Sequence, residues 1–167
     1  KDAVYTAGRN LAKLAEVIHE NNLNGKIALE TMGKIRQIGT VKEITEFCRI
    51  DDVFIPCVDF GHLNARTQGE ISADPGEYRR ILDDIGGALG EDKMKNIHIH
   101  FSKIKYGAGG EVCHLTFDDY QYGPDFEPLM RVLYEYGATP VVICESDGTM
   151  AEDALKMQNF YNALKTE

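Results

Sequence analysis

Four short apolar segments alternate with amphipathic segments along this 167-residue chain. The apolar segments have the length of β-strands and lie at 26–30, 53–60, 96–102 and 140–146. The intervening segments carry apolar residues at helical spacing, as does the segment that precedes the first strand. Strands that alternate with helices are typical of an α/β fold in which helices cover a parallel sheet. The sequence therefore predicts a single α/β domain over residues 1–167.

Capping residues predict where several helices begin and end. These signals are a capping box at Thr40–Glu43, an Asp74–Pro75 start, a C-terminal cap at Gly90 and a second capping box at Thr149–Glu152. The segments 61–73 and 103–123 are predicted to be long loops. Long ordered loops inside a compact domain often carry function.

The composition narrows the environment and the partners. The net charge of −9 disfavours a broad basic surface for nucleic acid, although bound metal ions can supply positive charge locally. No apolar run approaches the ~18 residues of a membrane span. The four cysteines form no CxxC pair, which favours a reducing, cytoplasmic location. The chain shows no signal peptide and begins with Lys1, so we expect a fragment edge or a processed terminus.

Ligand-type side chains lie at the ends of all four predicted strands. Glu30, Asp59 and Glu145 end three of them, and the third strand carries His98 and His100. The carboxyl ends of parallel strands meet on one face, where active sites form. Each carboxylate alone has an ordinary alternative role as a helix cap or a turn residue. Three carboxylates converging there would repel one another, so together they predict a divalent metal site.

The two predicted loops add further candidates. His62 follows Asp59 by three residues, and Glu111 and His114 lie in the glycine-rich segment after the third strand. These residues could bind a neighbouring metal, or they could be ordinary surface residues of the loops. Lys103, directly after that strand, and Arg66 could bind an anionic group of a substrate, but a solvated lysine is an equally simple interpretation.

The motifs that carry these residues resemble a known family. The segments LETMGK, DFGHLNAR, HIHFSK, GEVCH and CES resemble, in order, the metal-binding motifs of the endonuclease IV-type AP endonucleases. That family is a zinc-dependent (β/α)8 barrel of the xylose isomerase-like group. The resemblance implies a parallel (β/α) barrel of the TIM type. A full barrel needs about 250 residues, so about four βα units are expected here, a half-barrel or a barrel fragment that lacks the N-terminal half.

The resemblance also implies roles for individual residues. Glu30 matches a glutamate that bridges two zinc ions. Asp59, His98 and Glu145 match the other ligands of one of those ions. The ligands of a third ion are matched by His62, Glu111 and His114. Ser102 and Lys103 match a Ser-Lys pair that follows the family's strand histidine. Up to three zinc ions are implied, with Mn²⁺ or Mg²⁺ as alternatives. His100 stands where the family more often has asparagine, and Glu111 and His114 are one residue further apart than the corresponding family pair.

These observations lead to three hypotheses on function. The first is a metal-dependent phosphodiester hydrolase that cleaves DNA at abasic sites. Glu145 would orient the attacking water, Lys103 and Arg66 would neutralise charge, and Ser102 and His100 would contact the substrate. The second is a metal-dependent isomerase or epimerase that acts on a small sugar. The third is an inactive half-barrel, which would need the missing half or self-association to cover its apolar interior.

Overall fold

Four parallel strands form the central sheet. The computed structural model describes residues 2–71 and 73–166. Its strands are β1 (Ile27–Glu30), β2 (Phe54–Asp59), β3 (His98–Phe101) and β6 (Val141–Cys144). Their order in the sheet is β1-β2-β3-β6, and all neighbouring pairs are parallel. The structure thus confirms the predicted α/β fold with a parallel sheet.

Helices precede and follow these strands. They are α1 (Asp2–Glu20), α2 (Val41–Cys48), α3 (Phe60–Arg66), α4 (Pro75–Leu89), α5 (Glu91–Lys95), α6 (Phe126–Glu135) and α7 (Met150–Leu164). Three predicted caps are confirmed: the Thr40–Glu43 capping box of α2, the Asp74 N-cap of α4 and Gly90 after α4. The second capping box is wrong, because the Thr149 hydroxyl donates to Asp153 at 3.0 Å instead of accepting from the start of α7.

Both predicted long loops contain regular structure. In 61–73 the chain continues from β2 directly into α3, because the Asp59 carboxylate accepts a hydrogen bond from the His62 backbone N–H at 2.7 Å and so caps the helix. In 103–123 an antiparallel hairpin forms from β4 (Lys103–Gly107) and β5 (Gly110–Leu115). Ala108 and Gly109, between the two strands, form its turn. These segments carry candidate residues on defined backbone.

The two faces of the sheet differ in burial. Val58, Ile99 and Phe101 point toward the helices and are at most 1% exposed. Val141 and Ile143, on the opposite face of β6, are 60% and 44% exposed. Residues that alternate along a strand point to opposite faces. The core therefore lies between the sheet and its helices, and the other face, which we call the inner face, is partly open.

The state of the cysteines and the character of the helices are two further features of the chain. The four cysteines are free; three are buried and Cys113 is exposed. Within residues 2–71 and 73–166, no helix combines the length and the apolar character that crossing a membrane requires.

Candidate metal centre

Four residues from the four parallel strands come together at their carboxyl ends. Glu30, Asp59, His100 and Glu145 each place a ligand atom within 4.8 Å of those of the other three; we call them the strand-end group. The hydrogen-bond ladder of the parallel sheet fixes their positions, since Asp59 and His100 are register partners and Glu30 ends β1. Glu145 follows β6 directly, and its backbone N–H donates to the Phe101 carbonyl at 3.0 Å.

The strand-end group is short of positive charge. Asp59 is fully buried, and burial, with smaller contributions from Glu145 and Glu30, raises the pKa of its carboxyl above 3.8 against the opposing effect of His62. The His100 Nδ1 lies 3.4 Å from Glu30 Oε1 and 3.3 Å from Glu145 Oε1. Among the described residues, Asp59 Oδ2 and His100 Nδ1 are buried atoms without a hydrogen-bond partner. These atoms and the oxygen-rich donor set fit a divalent cation.

A second group of ligand-type residues lies between α3 and the hairpin. His62, Glu111 and His114 also have ligand atoms within 4.8 Å of one another; we call them the hairpin group. His62 Nε2 lies 3.5 Å from Glu111 Oε2, and the rings of His62 and His114 are 5.5 Å apart between centroids. Two imidazoles and one carboxylate form a donor set that suits zinc or a similar divalent ion.

A β-bulge brings Glu111 and His114 together. Residues three apart on a regular strand point to opposite faces. In the hairpin the pairing shifts, because Lys105 is opposite Cys113 whereas Tyr106 is opposite Glu111. One extra residue, Val112, is thus accommodated on β5, and its side chain is 57% exposed. A bulge changes the alternation of a strand, so both ligand-type side chains can face His62.

Both imidazoles of the hairpin group have their Nδ1 engaged by protein oxygen atoms. His62 Nδ1 lies 3.0 Å from the Thr31 carbonyl, and His114 Nδ1 lies 2.8 Å from the Ser102 hydroxyl. Nε2 is therefore the nitrogen that each ring can offer to a metal. Burial alone would lower the pKa of His62, but Glu30, the Asp59 charge and the Thr31 carbonyl together raise it to about 9.

Glu30 joins the two groups. Its Oε1 lies 3.2 Å from His62 Nδ1 and 3.4 Å from His100 Nδ1. The hydrogen bond from His62 holds the pKa of Glu30 below 4.5, in spite of partial burial. The two ligand groups are thus adjacent, and this carboxylate contacts one histidine of each group.

Comparison with known proteins identifies the family of this chain. The sequence profile of the family described as xylose isomerase-like TIM barrel matches residues 2–161. The chain belongs to this family. Membership confirms the predicted TIM-type fold, of which the four-stranded parallel sheet is a part. The chain is also similar to an uncharacterized protein of Methanocaldococcus jannaschii, with 33% identity over 155 residues. That alignment covers 93% of this chain and 55% of the relative, so the chain spans about half the relative's length.

The predicted ligands of this xylose isomerase-like domain fall mainly into the two groups. Glu30, Asp59 and Glu145 lie in the strand-end group, and His62, Glu111 and His114 make up the hairpin group. His98, also a predicted ligand, lies with Cys57 and His100 in a third set of neighbouring ligand atoms. His100, a predicted substrate contact, lies among the carboxylates where His98 was expected. The ligand role of His98 stays a prediction.

The predicted anion-binding residues are engaged by the protein itself. Lys103 Nζ donates to the Asp119 carbonyl at 2.6 Å and lies 3.4 Å from Asp125 Oδ1. The Arg66 guanidinium donates to three carbonyls of the segment after β1, those of Met32, Lys34 and Ile35 at 2.8–3.2 Å. Ser102, a predicted substrate contact, faces His114 instead. The substrate roles of these three residues stay predictions.

Sequence reasoning missed two contributors to this region. Cys57 is 1% exposed and precedes Asp59 by two residues, so the period of the strand already placed both on the inner face. Thr31 contributes its backbone carbonyl to His62, and its hydroxyl accepts from the Asp59 N–H at 2.9 Å. A backbone carbonyl leaves no signal in the sequence, because every residue has one.

Proposed function

We propose that this domain forms the metal-binding part of a phosphodiester hydrolase that acts on DNA at abasic sites. The observation that supports this proposal most directly is that two ligand groups are adjacent, with Glu30 in contact with a histidine of each. Adjacent divalent ions suit phosphoryl transfer, since the attacking and the leaving oxygen both need stabilisation.

The bound ions and the residues around them would have different roles in hydrolysis. Bound divalent ions would supply an activated water and would stabilise charge on the phosphate oxygens. Glu145 is one-third exposed at the rim of the strand-end group, where its carboxylate can orient that water and hold its proton. His62 and His114 would hold an ion through Nε2, since Nδ1 of each ring is engaged by the protein. Lys103 and Arg66 are engaged elsewhere, so the ions themselves would supply most of the positive charge that a phosphate needs.

Glu145→Gln tests this function. We expect the wild-type protein to bind zinc and to nick DNA that contains an abasic site. The variant should lose at least about 100-fold in nicking, the scale of removing one well-placed charged group. Metal content would be measured by mass spectrometry, and nicking on a labelled duplex. Glu152→Gln, on the exposed side of α7, is the matched control and should retain activity. Absence of bound metal, or equal nicking by both variants, would reject the proposal.

A sugar isomerase or epimerase is the second candidate. The observation that favours it is that the two candidate phosphate-binding cations, Lys103 and Arg66, are engaged within the protein, in a chain with a net charge of −9. The strand-end group alone would suffice for this reaction, with a carboxylate acting as the base. Isomerisation of phosphorylated or free aldoses that survives loss of the hairpin group, as in His114→Asn, would support this candidate over the hydrolase.

We also propose that four further βα units cover the inner face. Four strands are half of an eight-stranded barrel, and the chain spans only 55% of its relative. Val141 and Ile143 on the inner face are largely exposed, and β1 and β6 are the outer strands of the described sheet. Light scattering after gel filtration would test this. Self-association of the isolated chain is expected, and a stable, well-folded monomer would contradict it.

A further inference from the structure

The two imidazoles of the hairpin group have different kinds of partner at Nδ1. The partner of His62 is the Thr31 carbonyl, which can only accept a hydrogen bond. His62 must therefore carry a proton on Nδ1. The partner of His114 is the Ser102 hydroxyl at 2.8 Å, which can both donate and accept. The protonation of His62 Nδ1 is fixed by its surroundings, whereas that of His114 Nδ1 is free to change.

The environment of Ser102 makes this contact specific. Ser102 is fully buried directly after β3, and the His114 ring is half-buried on β5 of the hairpin. Ser102 and His114 lie on neighbouring segments that the ladder pairs, since Lys103 is opposite Leu115 and Ile104 is opposite His114. A buried hydroxyl at hydrogen-bond distance fixes the orientation of the ring. Because the Ser102 hydroxyl is buried and already has His114 as its partner, its position is accounted for without a substrate contact.

We infer that Ser102 is a positioning residue for His114, which directs Nε2 toward the ligand position and permits the proton of the ring to move between its nitrogens. Before a metal binds, a neutral His114 can hold its proton on Nε2 and accept from the serine hydroxyl at Nδ1. When Nε2 binds a metal, the single ring proton resides on Nδ1 and the hydroxyl accepts instead. No proton is gained or lost in this exchange. The metal-directing role of Ser102 rests on the proposed metal-dependent function. The hydrogen bond between Ser102 and His114 is present without a metal.

Nuclear magnetic resonance of the histidine side chains tests this directly. Long-range ¹H–¹⁵N spectra distinguish the two neutral tautomers and a metal-bound nitrogen. The metal-free Ser102→Ala protein should show changed His114 ¹⁵N shifts, with His62 unaffected. The Ser102→Ala protein should then be titrated with Zn²⁺. Its affinity at the hairpin group, read from the signals of His114 and His62, should be about 10- to 100-fold lower than in the wild type, the usual effect of losing an outer partner of a ligand. Affinity at the strand-end group, read from His100, should change less than about threefold, because the hydrogen bond of Ser102 is made to His114 of the hairpin group.

Ser146→Ala is the matched control, because Ser146 is the other fully buried serine of the described chain and follows Glu145 at the end of β6. It should leave the His114 signals and the zinc affinity of the hairpin group unchanged. Unaltered His114 signals and affinity in Ser102→Ala would overturn the inference. If Zn²⁺ shifts no histidine signal in the wild type, the proposed metal function fails and the metal-directing role of Ser102 fails with it. The metal-free spectra then still decide whether Ser102 sets the tautomer of His114.

Discussion

The strand-end group and the hairpin group are held in contrasting ways. The strand-end group combines three carboxylates with one histidine, and two of its atoms, Asp59 Oδ2 and His100 Nδ1, are buried without a hydrogen-bond partner. In the hairpin group both imidazoles are oriented by oxygen partners at Nδ1. The first group thus carries unfavourable electrostatics that a cation would relieve, and the second is already satisfied by the protein.

The two groups therefore differ in how much they destabilise the protein when no metal is bound. Carboxylates at strand ends are fixed by the ladder, so their mutual repulsion cannot be relaxed by moving apart. The hairpin residues are held by side-chain and backbone hydrogen bonds that exist without a metal. We therefore expect removal of the buried Asp59 charge to stabilise the metal-free protein, and disturbance of the hairpin group to have little such benefit.

The largest expected effect comes from Asp59→Asn. The variant keeps an oxygen that can cap α3 at the His62 N–H but removes the buried charge. Zinc affinity at the strand-end group should fall by more than about 100-fold, beyond what loss of an outer partner causes. The free energy of unfolding without metal should rise by about 1 kcal/mol, as when a strained functional residue is neutralised. Calorimetric titration and urea denaturation would measure both quantities.

Asp59→Ala is the control for the role of Asp59 as a cap. It removes charge and cap together, so any gain in stability should be offset by about 1 kcal/mol from the lost cap. A loss of affinity in Asp59→Asn that is equal at the two groups would contradict the distinction between them.

The stability of the metal-free protein should fall as the pH rises. The pKa of His62 is raised from 6.5 to about 9, so its charged form stabilises the fold fully below pH 6.5, and this contribution is lost as the pH rises through 9. Asp59 acts in the same direction at lower pH, because its raised pKa favours the protonated form in the folded state. The loss associated with His62 should be on the order of 3 kcal/mol.

Urea denaturation between pH 6 and 9.5, with a chelator present, would measure this dependence. His62→Gln should flatten the curve above pH 6.5 and leave the Asp59 portion in place. An unchanged slope in that variant would assign the dependence to other groups.

Gly33→Ala should disturb the hairpin group alone. A methyl group at Gly33 would lie 2.7 Å from Glu111 Cβ and 3.1 Å from His62 Cδ2. Displacing Glu111 should weaken zinc binding at the hairpin group by about tenfold, comparable to losing an outer contact of a ligand. Gly109→Ala is the matched control, since nothing lies within 4 Å of its added methyl group. Equal affinities in the two variants would show that Glu111 contributes no ligand atom.

Deletion of Val112 should have the smallest effect. It would remove the extra residue of the bulge and leave Glu111 and His114 two positions apart, which is the spacing of side chains on one face of a regular strand. Zinc affinity at the hairpin group should change by less than about threefold, well below the change on losing a ligand contact. Val112→Ala is the control for loss of the side chain. A tenfold or larger loss on deletion would mean that a regular strand with this two-residue spacing cannot replace the bulge.

Much of the fold follows from local patterns. The four strands, the helices that alternate with them and three of four predicted caps depend on residues close in sequence, and the structure shows them where the patterns predict. The Thr149–Glu152 box was wrong because Asp153 competes for the Thr149 hydroxyl. The regions 61–73 and 103–123 were predicted as loops because α3 is only one or two turns long and the hairpin strands alternate weakly.

The ligand groups were predictable in outline and not in detail. Strand periodicity places Glu30, Asp59 and Glu145 at one edge, and it places His98 and His100 on the same face. Periodicity does not predict which of the two histidines joins the carboxylates, because both lie on that face and differ only in their position along β3. The ladder makes the choice, since it sets Asp59 opposite His100 and Cys57 opposite His98.

Local patterns in the sequence specify which residue types are available and which face or end of an element each occupies, because backbone periodicity and capping are local. Which of these residues meet depends on the packing of the whole domain. The Ser102 hydroxyl and the Thr31 carbonyl reach His114 and His62 across 12 and 31 positions of the chain, and the bulge at Val112 turns Glu111 toward the same place. Such contacts depend on strand register and helix placement, which are set only when the whole sheet and its core pack together.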